Sequence, residues 1–227
     1  MMIFARLFCL GWLLVAPFPS NLAAADLKPV VVSWLAARSQ VQTWSAEFVQ
    51  TRTLKSLTQP LTAPGHVWFM APNRFRWELG MPAQSIAIRT TSDLMIVYPK
   101  LKRLERFTLS AQQTGPWRDA LALLEAGFPR NQADLEAQYL VLSQTETSSF
   151  CELVLEPKSQ SARRMIPQIL IQFDSQSLAL LATQLQFADG STLRNDFKNP
   201  VLNPNVDPQL FEPVVPADYK VVEPTKK

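Results

Sequence analysis

The stretch GHVWFMAPNRFRWELGMP, residues 65–82, holds two short aromatic segments on either side of a Pro-Asn corner. Each segment is typical of a β-strand, because bulky aromatic side chains favour the pleated backbone. In the second segment, Phe75 and Trp77 occupy alternate positions, so we predict that both face one side of a sheet. Arg74 and Arg76 occupy the other alternate positions and should face the other side. The fold is therefore expected to grow from an antiparallel hairpin with one apolar face.

Similar segments recur along the chain at short intervals, separated by Pro, Gly, Asn, Ser or Asp. This close spacing favours antiparallel hairpins, because a parallel crossover needs a dozen or more residues. We predict the α+β class, with a strongly curved antiparallel sheet of about ten to eleven strands that forms an incomplete β-barrel. The predicted strands are residues 45–55, 66–70, 74–79, 85–90, 94–99, 103–109, 139–145, 150–156, 168–173, 180–188 and 192–197.

Two segments carry apolar residues at helical spacing. The first starts at Asp26, which can cap it, and has Pro29 in its first turn, where the missing N–H costs little. The second, PWRDALALLEAGF, begins at Pro116 and presents Leu121 and Leu124 on an apolar face. A curved sheet of this size can hold an apolar ligand inside, and the second helix would form a lid over that cavity. The alternative is an ordinary filled core.

Residues 1–25 have the three parts of a secretory signal peptide: Arg6, an apolar stretch, and a small-residue site formed by Ala23 and Ala25. Two prolines cut the apolar run short of the ~20 residues that a membrane-spanning helix needs. We therefore expect cleavage, export, and a single soluble domain over residues 26–227, present as a monomer.

Cysteine use and charge restrict the function further. Cleavage would leave Cys151 as the one cysteine, in phase with Leu153 and Leu155 on a strand, which predicts a buried, inert thiol. Loss of Arg6 lowers the formal net charge from +3 to +2. So small an excess argues against a nucleic-acid partner.

Catalytic motifs are absent from the sequence. No metal-binding, redox, dinucleotide or phosphate-loop signature occurs, and the one histidine is His66 at a predicted strand start. Glu152 and Glu156 share one side of a strand and favour a solvated face, although a glycosidase-type pair stays open. We expect no catalytic residue, no metal site and no cofactor.

The chain resembles the periplasmic outer-membrane lipoprotein carrier family, called LolA, through segments that follow in the same order along it. These segments are TWSAEFVQ, GHVWFMAPNRFRWELGMP, LMIVYPK, DFKNP and NVDPQLFEPVVP. The resemblance implies an incomplete antiparallel barrel with a helical lid over an apolar cavity. It also implies a periplasmic protein that shields the acyl chains of lipoproteins between the inner and outer membranes. An inner-membrane ABC transporter would load it, and an outer-membrane receptor would unload it.

On this basis we predict which residues receive the ligand. They are Trp68, Phe75, Trp77, Ile86, Ile88, Leu121 and Leu124. Better-known members of the family place an arginine directly before the proline of the corner, where it tethers the lid, whereas this chain has Ala71. We predict that Arg74 or Arg76 takes over this gating role.

Two other functions fit the same observations. The nearest is a carrier or assembly factor for another envelope lipid, such as a glycolipid or a pigment ester. From different classes come a ligand-sensing regulator in the envelope and, with less support, an esterase that would depend on His66.

Overall fold

The computed structural model describes residues 26–109, 131–213 and 216–223. Its strands are β1 Thr43–Thr53, β2 Leu61–Met70, β3 Arg74–Leu79, β4 Ser85–Arg89, β5 Asp93–Tyr98, β6 Arg103–Thr108, β7 Tyr139–Glu146, β8 Phe150–Pro157, β9 Gln168–Asp174, β10 Leu180–Gln186, β11 Thr192–Leu202 and β12 Lys220–Val222. Its α-helices are α1 Pro29–Ser39, α2 Gln132–Gln138 and α3 Gln160–Met165, and short 3-10 helices cover Pro99–Leu101 and Pro208–Phe211.

The strands form one twelve-stranded sheet in the order β12-β6-β5-β4-β3-β2-β1-β11-β10-β9-β8-β7. Neighbouring strands are antiparallel, except that β12 pairs with β6 in parallel. The first and last strands of this order do not pair with each other, so the curved sheet stays unclosed. The prediction of an α+β fold with an incomplete antiparallel barrel is confirmed.

The main hydrophobic core lies on one side of the sheet, which we call the core face. Helix α1 covers this face with Val31, Trp34 and Leu35, and the Trp34 ring stacks on Phe173 with ring centroids 4.7 Å apart. Offset stacking of this kind adds to the free energy gained from burial alone. The strands contribute buried side chains that alternate along each of them, among them Trp44, Ala46, Phe48, Val67, Cys151, Leu153, Leu155, Ile169, Ile171 and Phe197.

Helix α1 has Pro29 in its first turn, as predicted, but it begins at Pro29 and the predicted cap, Asp26, is wrong. The N-cap residue is Lys28, which has no side-chain capping bond. Gln144 of strand β7 instead accepts the backbone N–H of Lys28 itself at its Oε1, at 2.8 Å. Its Nε2 donates to the carbonyl oxygen of Asp26 at 3.1 Å. A residue more than a hundred positions away therefore accepts a backbone N–H at the start of the helix, which a local sequence pattern cannot show.

The other side of the sheet, which we call the opposite face, carries a second cluster. Ile88, Met95 and Leu104 are buried there, with Ile86 and Val97 packed around them. Residues 203–223, the C-terminal segment, must cross the sheet because β11 lies beside β1 and β12 lies beside β6. The crossing uses the opposite face: Arg76 Nη1 donates to the Leu210 carbonyl oxygen at 3.2 Å.

The structure adds elements that the sequence pattern did not predict. These are helices α2 and α3 and the edge strand β12, all seven residues long or shorter. Strand β2 begins at Leu61 rather than at His66, so Pro64 and Gly65 lie inside it. The Asp207 side chain accepts the Gln209 N–H at the start of the second 3-10 helix. The predicted signal peptide and the predicted helix at residues 116–128 lie outside the described residues.

Candidate functional site

The core face changes character between the two halves of the sheet. Next to α1 it is filled, and side chains such as Trp44, Leu153 and Phe173 are fully buried. Across β3, β4 and β5 it is half-buried: Phe75, Trp77 and Ile96 all retain solvent exposure. Apolar side chains left partly accessible on a curved sheet, beside a filled core, are typical of a surface that receives an apolar ligand.

Strand register brings the members of this surface together. Trp77 lies opposite Ala87, which lies opposite Ile96. One pair further along, Phe75 lies opposite Arg89, which lies opposite Leu94. Because paired residues point to the same side of a sheet, these side chains share the core face. We call them the ligand surface: Phe75, Trp77, Ala87, Arg89, Leu94 and Ile96, of which Leu94 is buried and the others are partly exposed.

Trp77 marks the boundary between the filled core and the ligand surface. Its ring centroid lies 4.3 Å from that of Phe48 and 6.2 Å from that of Phe197, which it meets edge-on at 82°. Both partner rings are buried in the main core. The indole is thus held rigidly on one side, while Phe75 extends the apolar surface away from the core.

Arg89 is the charged member of the ligand surface, and the sequence analysis did not identify it. Burial lowers the pKa of its guanidinium group. The signal in the sequence is weak: Arg89 follows Ala87 at the alternate position of the strand SIAIR. Its side chain can donate hydrogen bonds to carbonyl or anionic oxygens of a ligand that otherwise contacts apolar groups.

The structure divides the predicted ligand-binding residues between the two faces. Phe75 and Trp77 lie on the core face, as predicted. Trp68, Ile86 and Ile88 lie on the opposite face: Trp68 pairs with Arg76 and Arg76 with Ile88, while Ile86 pairs with Glu78. These five residues therefore do not share one face of the sheet, because alternation along each strand places neighbouring side chains on opposite sides. Leu121 and Leu124 lie outside the described residues.

The two predicted gating arginines face away from Phe75 and Trp77, as expected from the alternation. Arg76 lies on the opposite face, where its guanidinium group binds Glu78 Oε1 at 2.6 Å and the Leu210 carbonyl oxygen. It holds the C-terminal segment rather than anything on the core face. Arg74 shares this side of strand β3. Ala71, at the corner, donates its backbone N–H to the Gln42 carbonyl oxygen at 2.7 Å.

His66 and Cys151, the side chains that could take part in catalysis, both pack against other parts of the sheet. His66 stacks on Trp68 with ring centroids 3.9 Å apart, and lies between Glu47 and Glu78 in the register of β1, β2 and β3. Burial lowers the pKa of His66, and the two carboxylates oppose that shift. Cys151 is fully buried, and burial raises the pKa of its thiol, so it is the inert thiol that was predicted.

In the described part of the chain, no cluster of three or more His, Cys, Asp and Glu side chains is arranged to hold a metal ion. None of the helices described is both long and apolar enough to cross a bilayer.

Comparison with known proteins matches the sequence model of the family described as "Outer membrane lipoprotein carrier protein LolA" over residues 39–214. No match was found among curated proteins. Similar solved structures include an uncharacterized conserved protein from Thermus thermophilus, at 11% identity and a TM-score of 0.49, covering 85% of this chain and 99% of that one. A LolA superfamily protein from Nitrosomonas europaea has 12% identity and a TM-score of 0.42, covering 80% and 96%. A third, from the MucA/MucB complex of Pseudomonas aeruginosa, has 14% identity and a TM-score of 0.43, covering 84% and 61%. Since the family match spans most of its length, the chain belongs to the outer-membrane lipoprotein carrier protein LolA family.

Proposed function

We propose that this protein is a carrier that binds the acyl chains of lipoproteins on the ligand surface and moves them between membranes of the bacterial envelope. The observation that supports this most is the half-buried aromatic surface around Phe75 and Trp77, which continues from a filled core in a chain of this family. Membership of the family supports the class of cargo, and the geometry supports the place where it binds.

The physical need for such a carrier follows from the cargo. Each buried methylene group is worth about 0.8 kcal/mol, so exposing the acyl chains of one lipoprotein to water costs on the order of tens of kcal/mol. A sheet that stays unclosed can adjust the separation of its two halves, whereas a closed barrel has a fixed diameter. Transfer between two apolar environments needs no covalent step, and binding groups such as Phe75 and Arg89 are sufficient for it.

The setting and the partners belong to the same proposal. We expect the periplasm as the location, after removal of residues 1–25. An inner-membrane ABC transporter would load the carrier and an outer-membrane receptor would accept the cargo. In the alternative, the cargo is another envelope lipid, and mass spectrometry of lipids that copurify from envelope extracts distinguishes the two.

The test replaces an aromatic residue on each face and measures binding of a fluorescent triacylated lipopeptide. Phe75→Ser removes most of an apolar contact, which should weaken binding about tenfold or more. Trp68→Ser is the matched control, because Trp68 lies on the neighbouring strand but on the opposite face. It should change the dissociation constant less than about twofold.

Equal losses for both variants, with unchanged melting temperatures, would show that the core face is not the binding surface. Retention of wild-type affinity by Phe75→Ser would show the same. Hydrolysis of the lipopeptide by purified protein, abolished in His66→Ala, would replace the carrier proposal with the esterase alternative.

A further inference from the structure

Three hairpin turns lie side by side at one end of the sheet. They are residues 54–60 between β1 and β2, residues 80–84 between β3 and β4, and residues 99–102 between β5 and β6. Since the six strands follow one another in the sheet, all three turns lie at the same end, which we call the turn end. Neighbouring strands are about 4.8 Å apart, so successive turns are separated by about 10 Å.

Each of these turns exposes one large apolar side chain. Leu57 is 43% exposed, Met81 is 87% exposed and Leu101 is 70% exposed. Met81 and Leu101 therefore project from their turns and pack on little of the protein, whereas Leu57 is about half covered. The two turns between the same strands at the other end, residues 71–73 and 90–92, read APN and TTS and hold no large apolar residue. Among the described turns that join β1 to β6, the apolar tips therefore lie at one end.

The three turns themselves carry positive charge. They contain Lys55, Lys100 and Lys102 and no acidic residue, whereas the two turns at the other end contain no charged residue. Lys55 lies beside Gly190 in the neighbouring β10–β11 turn, where it interacts electrostatically with Asp189. Lys102 forms an ion pair with Asp218 at 2.7 Å. Lys55 and Lys100 lie two residues and one residue away from the exposed Leu57 and Leu101, respectively.

We propose that the turn end docks on an anionic phospholipid surface. Leu57, Met81 and Leu101 would enter the interface between headgroups and acyl chains, and the lysine ammonium groups would remain among the phosphates. Lysine suits this position, because its aliphatic stem tolerates apolar surroundings while its charge stays in water. A row of separate projecting tips fits a deformable lipid surface better than a protein partner, which would offer one pocket to one anchor residue.

This docking goes beyond the proposed carrier function and does not depend on it. The ligand surface is a set of strand residues on the core face, whereas the docking residues lie in turns. A carrier that touches the bilayer at its turn end would exchange acyl chains without exposing them to bulk water.

The test is flotation of the full mature protein, without cargo, on vesicles. Binding is expected to vesicles of phosphatidylethanolamine and phosphatidylglycerol, and to fall with salt and in neutral phosphatidylcholine. The double variant Met81→Ser/Leu101→Ser should bind about tenfold more weakly. Lys55→Gln/Lys100→Gln should lose about 25-fold, at about fivefold for each lysine near an anionic surface. The control is Leu202→Ser, which removes a side chain 54% exposed at the other end, paired with Trp44 at the start of β1.

All variants change exposed side chains, so unchanged melting temperatures verify their folding. Absence of wild-type binding to anionic vesicles would overturn the proposal, as would an equal loss in Leu202→Ser and Met81→Ser/Leu101→Ser. Cross-linking of the turn end to a protein partner, without vesicle binding, would overturn it in favour of protein docking. Loss of lipopeptide binding by Phe75→Ser leaves this test unaffected, so the two proposals fail separately.

Discussion

His66 is the one histidine of the chain, and its ring lies between two carboxylates on the opposite face. Burial lowers its pKa from the ordinary value of 6.5, and Glu47 and Glu78 raise it by a smaller amount. The folded protein therefore binds a proton at His66 less readily than the unfolded chain does. The contribution of His66 to the free energy of unfolding is fully present above pH 6.5. It is lost as the pH falls from there towards the lowered pKa.

We expect His66→Gln to reduce the pH dependence of stability between about pH 7 and pH 5. Urea denaturation of the wild type should show a free energy of unfolding that decreases over this interval, and the decrease should be smaller in the variant. No other histidine contributes, so the difference between the two proteins isolates His66. A proton NMR titration that gave a pKa above 6.5 for the ring would contradict the prediction.

Gly65 is the residue that allows strands β1, β2 and β3 to approach one another. A Cβ atom at this position would lie 2.1 Å from Phe48 Cζ and 2.5 Å from the Glu78 carbonyl oxygen. The phenyl ring is buried and the carbonyl belongs to a paired strand, so neither can move freely. Only glycine fits without a shift of the neighbouring backbone.

Gly65→Ala should therefore lower the free energy of unfolding by about 1–3 kcal/mol, the range typical of an overpacked core. Chemical denaturation measures this loss. In a Phe48→Leu background, Gly65→Ala should lower the free energy of unfolding by less than it does in the wild type, because the shorter side chain removes one of the two clashes. A loss below about 0.5 kcal/mol in the single variant would contradict the close approach.

At the scale of elements, the C-terminal segment runs along the opposite face of the sheet. Arg76 of strand β3, which also binds Glu78 of the same strand, donates to the Leu210 carbonyl oxygen of the segment, and Phe211 is buried. The segment then ends in β12, which pairs with β6. A long crossing with few such anchors should open before the core unfolds.

We expect Arg76→Met to release the C-terminal segment while leaving the core intact. Loss of a charged hydrogen bond corresponds to about 1–2 kcal/mol of local opening free energy, or roughly 5–30-fold faster exchange. Hydrogen exchange at the Leu210 and Lys220 amides, which donate to Asp207 and Lys102, reports this opening. Arg74→Met is the matched control on the same strand and face. Unchanged exchange at both amides in Arg76→Met would show that Arg76 does not anchor the segment.

At the scale of the whole molecule, the two halves of the sheet differ in how completely they are covered. The half formed by β1 and β7 to β11 is closed by α1 into a filled core, and the half formed by β2 to β6 carries the ligand surface. An unclosed sheet permits this division, because β7 and β12 stay apart as separate edges. The main core stabilises the fold, which leaves the ligand surface free to remain partly accessible.

The mature protein is predicted to begin near Asp26. The carbonyl oxygen of Asp26 accepts a hydrogen bond from Gln144, so this residue is already held by the fold. N-terminal sequencing of protein recovered from the periplasmic fraction should give Asp-Leu-Lys. Recovery of a membrane-bound product that begins at Met1 would contradict cleavage and export.

The sequence by itself determined the class of the fold and which side chains of strand β3 share a side of the sheet. Alternation in residues 74–77 depends on the local pleat alone, so it correctly separated Phe75 and Trp77 from Arg74 and Arg76. Short spacing between strands likewise determined antiparallel hairpins. The family followed from motifs in the same order along the chain, and the match over residues 39–214 confirmed it.

Only the tertiary structure decided which apolar residues stay partly accessible and which are covered. Ile88 and Phe75 look equally suitable in sequence, but the register between β3 and β4 places them on different sides. The C-terminal segment, more than a hundred residues away in the chain, then crosses the sheet on the side of Ile88. The same register places Arg89 on the ligand surface, opposite Phe75. Local patterns report the phase of a side chain within its own strand, whereas burial depends on what distant segments pack on each face.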